Sequence, residues 1–409
     1  MIKQLDSEHD NLRAALRWAC DGGDHTIGLR LAGALRKYWQ SRGLISEGRA
    51  WLAALLARAD TTAEAAEMAA RLQATQAAAW LASNQHDFTQ AEQLFEQSIG
   101  IQRALGETRG ETQLLFNAAL QARAMGHYQQ AISLLEEALT QYRAEGDRGS
   151  LSAGGLGLAL YGLGLMLREQ GEFARAATLF EECVELHRAL GYREGIAQAQ
   201  LALGDIARDQ GDVVQMRTYA EQCLLVFREL GVQWAVGFAL NNLALAAYLE
   251  GDLARAFSLV EESVQLFRSL QADSSLAEVL ITLGQIVRAQ GDNLAAYIAL
   301  SEALQLAWAV GPRLLVAAAL EGVANVVVAQ QQAELAARLL AAASALRAQM
   351  GTPVRPVDQA TVELALADAR SMLGDNAFAA VWAEAQALAP EQILGTIPST
   401  AAFATLRDR

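Results

Sequence analysis

One feature constrains this chain more than any other: a turn that comes back at a fixed interval. Gly211-Asp212, Gly251-Asp252 and Gly291-Asp292 stand 40 residues apart. Related anchors fall at Gly171-Glu172 and Gly126-His127 and, with the glycine replaced, at His86-Asp87 and Gln331-Gln332. Counted from each anchor, small residues recur. Seven positions before it stand Ala79, Ala119, Gly164, Gly204, Ala244, Gly284 and Ala324. Five after it stand Ala91, Ala131, Ala176, Met216, Ala256, Ala296 and Ala336. Twelve after it stand Ser98, Ala138, Cys183, Cys223, Ser263, Ala303 and Ala343. Small side chains at three fixed offsets mark places where helix backbones approach closely. A constant period of this length marks stacked supersecondary units.

Each unit reads as a helical hairpin. One helix runs into the Gly-Asp turn, and the acid then caps a second helix. Seven regular hairpins are expected over residues 63–350, with further breaks at Leu190-Gly191, Leu230-Gly231 and Val310-Gly311. The register slips once: Gly126 to Gly171 is 45 residues, which puts an insertion near Gly146-Asp147-Arg148-Gly149-Ser150. Residues 1–62 read as a starting helix, with Ser7 and Asp10 at capping-box spacing, followed by an atypical first hairpin that turns at Gly43. Gly351-Thr352-Pro353-Val354-Arg355-Pro356 interrupts the array, because neither proline can continue a helix. Residues 351–394 then form a capping hairpin about Gly374-Asp375, and 395–409 read as a frayed tail.

Composition narrows the function classes. A chain 53% hydrophobic with five prolines suits a nearly all-helical fold. The net charge of −14, with Lys3 and Lys37 the only lysines, argues against direct nucleic-acid binding. Cys20, Cys183 and Cys223 cannot make a disulfide framework, and Cys183 and Cys223 occupy the small-residue offset. Leu151 to Leu167 is uncharged, yet it is glycine-rich and in register with the repeat, so a membrane span is not expected. Met1-Ile2-Lys3-Gln4-Leu5-Asp6 begins no apolar signal, and a cytoplasmic protein is expected. No phosphate-loop, His-Glu-x-x-His or paired-cysteine pattern is present, so the reading is non-catalytic, with no cofactor and no metal site.

The small-residue pattern around a Gly-Asp turn resembles the tetratricopeptide repeat, although 40 residues exceeds that family's period of about 34. The resemblance implies an all-α, right-handed superhelical solenoid of about nine hairpins, each helix about a turn longer than usual. It also implies that the first helix of each hairpin lines a concave groove, through positions 13, 10, 6 and 3 before the anchor. The last of these reads Ser83, Arg123, Arg168, Arg208, Tyr248, Arg288 and Val328. The binding candidates on this ridge are Trp80, Phe116, Arg123, Tyr161, Arg168, Asp205, Arg208, Phe238, Asn241, Tyr248, Glu278, Gln285 and Arg288. Arginines among aromatics suit an extended partner with carboxylates or phosphates. They could equally pair with Asp205 or Glu278 and hold the stack together.

The two ends suggest a narrower family. Leu5-Asp6-Ser7-Glu8-His9-Asp10-Asn11-Leu12-Arg13-Ala14-Ala15-Leu16 and Arg42-Gly43-Leu44-Ile45-Ser46-Glu47-Gly48-Arg49-Ala50-Trp51-Leu52 resemble the junction after the nucleotide-binding part of large bacterial signal-transduction ATPase regulators, the LuxR/MalT-like and AfsR-like transcriptional regulators. The segments from Ala336 to Arg347 and from Ala377 to Ala385 are similar to their closing repeats. In that family the repeat array is a sensor arm that binds a small-molecule inducer, peptide or protein. It acts on an ATPase and a DNA-binding domain, which would here lie on a longer or separate chain. The alternative is a free-standing adaptor or self-association scaffold.

Overall fold

The protein is described by a computed structural model that covers residues 5, 7–42, 44–57, 65–85, 87–106, 111–145, 150–310, 313–387, 392, 395–398 and 403. The turn at Gly43, the anchor at His86, the inserted residues 146–149 and Gly311 lie outside the described residues. Among the described residues the regular structure is entirely helical. The chain divides into two compact units, residues 1–159 and 160–409.

The first unit contains α1 (His9–Cys20), α2 (His25–Ala34), α3 (Arg36–Ser41) and α4 (Ile45–Leu56). The regular hairpins α5 (Ala65–Asn84) with α6 (Phe88–Ala104) and α7 (Glu111–Ala124) with α8 (Tyr128–Glu145) follow. α9 (Ser150–Glu169) crosses the division. The core of this unit gathers Leu16, Leu29, Trp39, Leu52, Leu55, Ala74 and Leu81. The expected capping box at Ser7 is not the start of α1. Its N-cap is Glu8, whose side chain makes no cap bond and instead accepts from Asn11 Nδ2 at 2.7 Å.

The second unit pairs α9 with α10 (Phe173–Ala189), α11 (Arg193–Gln210) with α12 (Val213–Leu230), and α13 (Gln233–Leu249) with α14 (Leu253–Ser269). It goes on through α15 (Asp273–Ala289), α16 (Asn293–Val310), α17 (Arg313–Ala329) and α18 (Ala333–Met350), and ends in α19 (Pro356–Leu373) and α20 (Asp375–Ala387). Neighbouring helices pack along this order, as a solenoid requires.

The turn chemistry explains the period. The anchor glycines adopt left-handed backbone, Gly251 at φ 84° and Gly291 at φ 90°, and Gln331 is held at φ 62° where the glycine is missing. The following Asp is the N-cap: Asp212 accepts from Gln215 N at 3.0 Å, and Asp252 from Arg255 N at 3.0 Å. Glu172, one methylene longer, makes no such bond. The small positions are the close approaches: a Cβ on Gly284 would lie 2.5 Å from Leu300 Cγ. Ala176, Met216, Ala256, Cys183, Cys223 and Ser263 are all fully buried. The apolar stretch from Leu151 falls within α9, and among the described residues no helix is long and apolar enough to cross a membrane.

Two features at the C-terminal end depart from expectation. The α19–α20 hairpin does not simply stack on the last repeat. α19 touches α17 and α18 and also α11, so the row of first helices curves around it. The tail is not frayed at its described residues: Tyr297 Oη donates to the Pro398 carbonyl at 2.5 Å, and the Phe403 ring stacks on Tyr297 at 3.8 Å.

Candidate functional site on the inner face of residues 160–409

The inner face of the second unit carries a polar network built from one rule of the repeat. An arginine three residues before an anchor reaches the residue six before the next anchor. Thus Arg168 Nη1 donates to Asp205 at 3.0 Å, and Arg288 Nη2 donates to Asn325 at 3.3 Å. For Arg208 the corresponding position is Leu245, which accepts nothing. Its Nη1 instead reaches Asn242 at 3.1 Å and, two repeats along, Glu278 at 3.4 Å.

Asp209 sits at the centre. Arg168 Nε donates to it at 2.6 Å and Arg208 Nε at 3.1 Å, and Arg355 Nη1 approaches at 3.4 Å. Burial alone would push this carboxyl up. The charges of Arg168, Arg208 and Arg355 outweigh burial and hold it well below the usual carboxylate range. Burial likewise works against the charge on Arg168 and Arg355, yet the neighbouring acids raise both above the ordinary arginine value. Asn242 Nδ2 closes the network on Asp205 at 2.7 Å.

Within this network three guanidiniums (Arg168, Arg208, Arg355) face four carboxylates (Asp205, Asp209, Glu278, Asp358). Arg208 and Asp209 are each 2% exposed, whereas the Glu278 side chain remains 31% exposed. Arg168 and Arg208 therefore present no open fork to an incoming carboxylate or phosphate. The accessible polar edge is that of Asp205 and Glu278, which accepts hydrogen bonds and favours positive charge.

The other candidates fall in different places. Phe238 packs between Trp234 and Phe267, with ring centroids at 6.3 Å and 5.0 Å. Tyr161 lies half-buried, tilted on Phe180 at 5.5 Å. Tyr248 is half-buried against the cluster of Ala244, Ala247, Ala256, Val260 and Ile286. Asn241 is 1% exposed, and its amide oxygen and nitrogen have no partner among the described residues. Gln285 donates to Asp358 at 3.5 Å. Trp80, Phe116 and Arg123 belong to the first unit. There Trp80 meets Phe95 edge-on at 5.9 Å, and the Arg36 guanidinium lies over its ring at 5.6 Å.

Sequence reasoning missed Asp209, Asn242, Arg355 and Asp358. Asp209 stands one residue after Arg208 and two before its anchor, off the ridge pattern, although a charged residue beside a turn was visible. A second buried pair was also missed: Arg347 donates to Glu321 through Nε at 2.6 Å and Nη2 at 2.9 Å. It stands sixteen residues after its anchor, where Phe227 and Phe267 stand in other repeats.

Elsewhere the chemistry is quiet. Burial pushes the Cys183 thiol up to about 11 and Cys223 up to about 12, so both stay protonated and poorly nucleophilic. Among the described residues no group of His, Cys, Asp or Glu is arranged to hold a metal. A cleft of about 850 Å³ between α19 and α20 is lined by Leu366, Arg370, Phe378 and Trp382, none of which belongs to the network.

Comparison with known proteins fits this architecture. Models of the tetratricopeptide repeat match residues 157–190 and 195–269. A protein of Mycobacterium tuberculosis named provisionally as an HTH-type transcriptional regulator is 30% identical over 111 residues, which is 26% of this chain and 13% of that protein. The match thus spans a small part of the length of that relative. Among solved structures, the Rap conjugation gene regulator of plasmid pLS20 in complex with the Phr* peptide aligns at TM-score 0.58 and 12% identity, covering 83% of this chain and 95% of that one. The apo quorum sensor NprR from B. thuringiensis aligns at TM-score 0.57 and 15% identity, covering 84% and 93%. At these identities the likeness is one of fold.

Proposed function

We propose that this tetratricopeptide-repeat protein is a non-catalytic receptor whose inner face in residues 160–409 takes an extended peptide-like partner, and that it serves as the sensing arm of a transcriptional regulator. The observation that carries the reading is the inner face itself. The buried network leaves the Asp205 and Glu278 side chains partly exposed, at 21% and 31%, on a face that also carries the half-buried rings of Tyr248 and Phe238. Such an edge suits backbone N–H donors and basic side chains of an extended chain, with the aromatics covering its apolar parts. The peptide in the similar Rap structure and the regulator match over 111 residues support the reading. A small-molecule inducer is the other ligand class for the same surface.

Native mass spectrometry of the protein purified gently from its own host tests this. The expected result is a retained small mass that is lost on Glu278→Ala while the melting temperature stays within a degree or two. A bare chain of unchanged stability at every loading would contradict it. A second reading, self-association, has one observation in its favour. Leu190, Leu230 and Leu270 recur at one repeat position, each more than 40% exposed. A clean dimer in the same spectrum would select it.

A further inference from the structure

The segment between α18 and α19 does more than connect them. Gly351 ends α18 in left-handed backbone at φ 64°, and the chain then runs without regular structure to Arg355. At its start Gln170, from the turn between α9 and α10, donates to the Met350 carbonyl at 3.2 Å. The Pro353 ring covers the same turn, since a Cβ on Gly171 would lie 3.1 Å from its Cγ. Arg355 then reaches Asp209 of α11, and Asp358 accepts from Gln285 of α15. The last repeat is thereby tied to the first helices of the unit across the inner face.

The two sides of this tie differ in strength. On its own side the segment is anchored firmly: Arg347 Nη1 donates to the Pro353 carbonyl at 3.0 Å, and Arg355 Nε donates to Asp358 at 2.6 Å. The polar contacts of this segment and of the start of α19 across the inner face are longer, at 3.2, 3.4 and 3.5 Å. They stand at or beyond the outer end of the usual hydrogen-bond range, so as hydrogen bonds they are weaker than those on the segment's own side. The Arg355–Asp209 contact acts chiefly through charge. Asp209 keeps Arg168 and Arg208 when Arg355 leaves, so opening exposes no unpaired buried charge. A solenoid held only by neighbour-to-neighbour contacts changes curvature through small adjustments at each repeat, and a tie between its ends removes that freedom.

We propose that Gly351–Arg355 is a clasp that sets the opening of the inner face, and that a partner enters when the Arg355 and Gln170 contacts release. The gating clause rests on the binding reading above; the clasp itself does not. The test uses the full chain with Cys20→Ser and spin labels on cysteines placed at Glu172 and Gln359, both exposed positions on either side of the clasp. Double electron–electron resonance should give one narrow distance. Adding Arg355→Ala with Gln170→Ala should lengthen and broaden it by several ångströms, with the helical circular dichroism unchanged.

In parallel, Glu278→Cys reports access to the inner face through its N-ethylmaleimide labelling rate, which should rise several-fold in the released variant. An unchanged distance distribution would overturn the clasp. A longer distance with an unchanged labelling rate would overturn its control of the inner face. Should the double variant misfold, Gln170→Ala alone is expected to give a smaller lengthening, and none would overturn the proposal. No partner enters either measurement, so a protein that retains no ligand from its host would sink the binding reading and leave the clasp standing.

Discussion

The outer and inner faces of this protein use the same residue types at repeat spacing and obtain different things from them. Outside, an arginine seventeen residues after one anchor pairs with a glutamate eleven after the next. Arg228 meets Glu262 at 2.9 Å and Arg268 meets Glu302 at 2.7 Å, and in the first unit Arg103 meets Glu137. These side chains are about half exposed. Where the next repeat offers Gln222 instead, Arg188 turns back to Glu185 on its own helix. Pairs so easily exchanged are worth roughly 0–1 kcal/mol each. Inside, Arg208 and Asp209 are shut away from water and Arg168 keeps only 14% of its side chain exposed, and each partner satisfies the others. Burial, rather than pairing as such, separates a solvated ladder from a network that fixes shape.

Substitutions should widen or close that gap. The largest effect is expected at the buried Arg347–Glu321 pair. Arg347→Ala strands the glutamate and should cost about 3–5 kcal/mol in denaturant unfolding, whereas Arg347→Met with Glu321→Leu should recover most of it. Asp209→Asn should cost about 3 kcal/mol near neutral pH, because three guanidiniums lose their shared negative charge and one acceptor oxygen becomes a donor facing them. The sign of its pH dependence is fixed. A carboxyl lowered in the folded state contributes fully above its ordinary value of 3.8 and loses its contribution only as pH falls towards the depressed value. The wild-type advantage over Asp209→Asn should therefore hold from pH 8 to 5 and shrink only well into acid.

The outer pairs should behave oppositely. Arg268→Ala should shift stability by less than about 1 kcal/mol, and the shift should vanish in 1 M salt. A loss comparable to that of Asp209→Asn would erase the distinction between the faces. The smallest expected effect is a gain. Gln331→Gly relieves a left-handed glutamine at a position where other repeats carry glycine, and should add about 0.5–1 kcal/mol.

The hairpins were legible because each turn carries its own local chemistry: Gly251 for the left-handed step, Asp252 for the cap, Ala244 and Ala256 for the close approach. Local rules of this kind repeat, and repetition exposes them. The candidate site was legible only in part. Arg168, Arg208, Asp205 and Glu278 lie on a ridge that periodicity marks, but what they touch depends on the curvature of the whole unit. The segment around Pro353 shows the limit. Its prolines announce an end to the helix, yet the crossing that brings Arg355 to Asp209, 146 positions away in sequence, has no local signature. The outer ladder was available at fixed offsets. It is found by asking which charged residues recur in the second helix as well as in the first.

The measurement that bears most directly on the account compares the mass retained from the host by two full-length variants in native spectra. One, Arg228→Ala with Arg268→Ala, strips the outer ladder; the other, Glu278→Ala, alters one partly exposed acid of the inner network. The ladder variant should keep the ligand at wild-type occupancy, and the Glu278 variant should lose it without loss of fold. Retention by the Glu278 variant together with loss from the ladder variant would place recognition on the outer face and contradict the account.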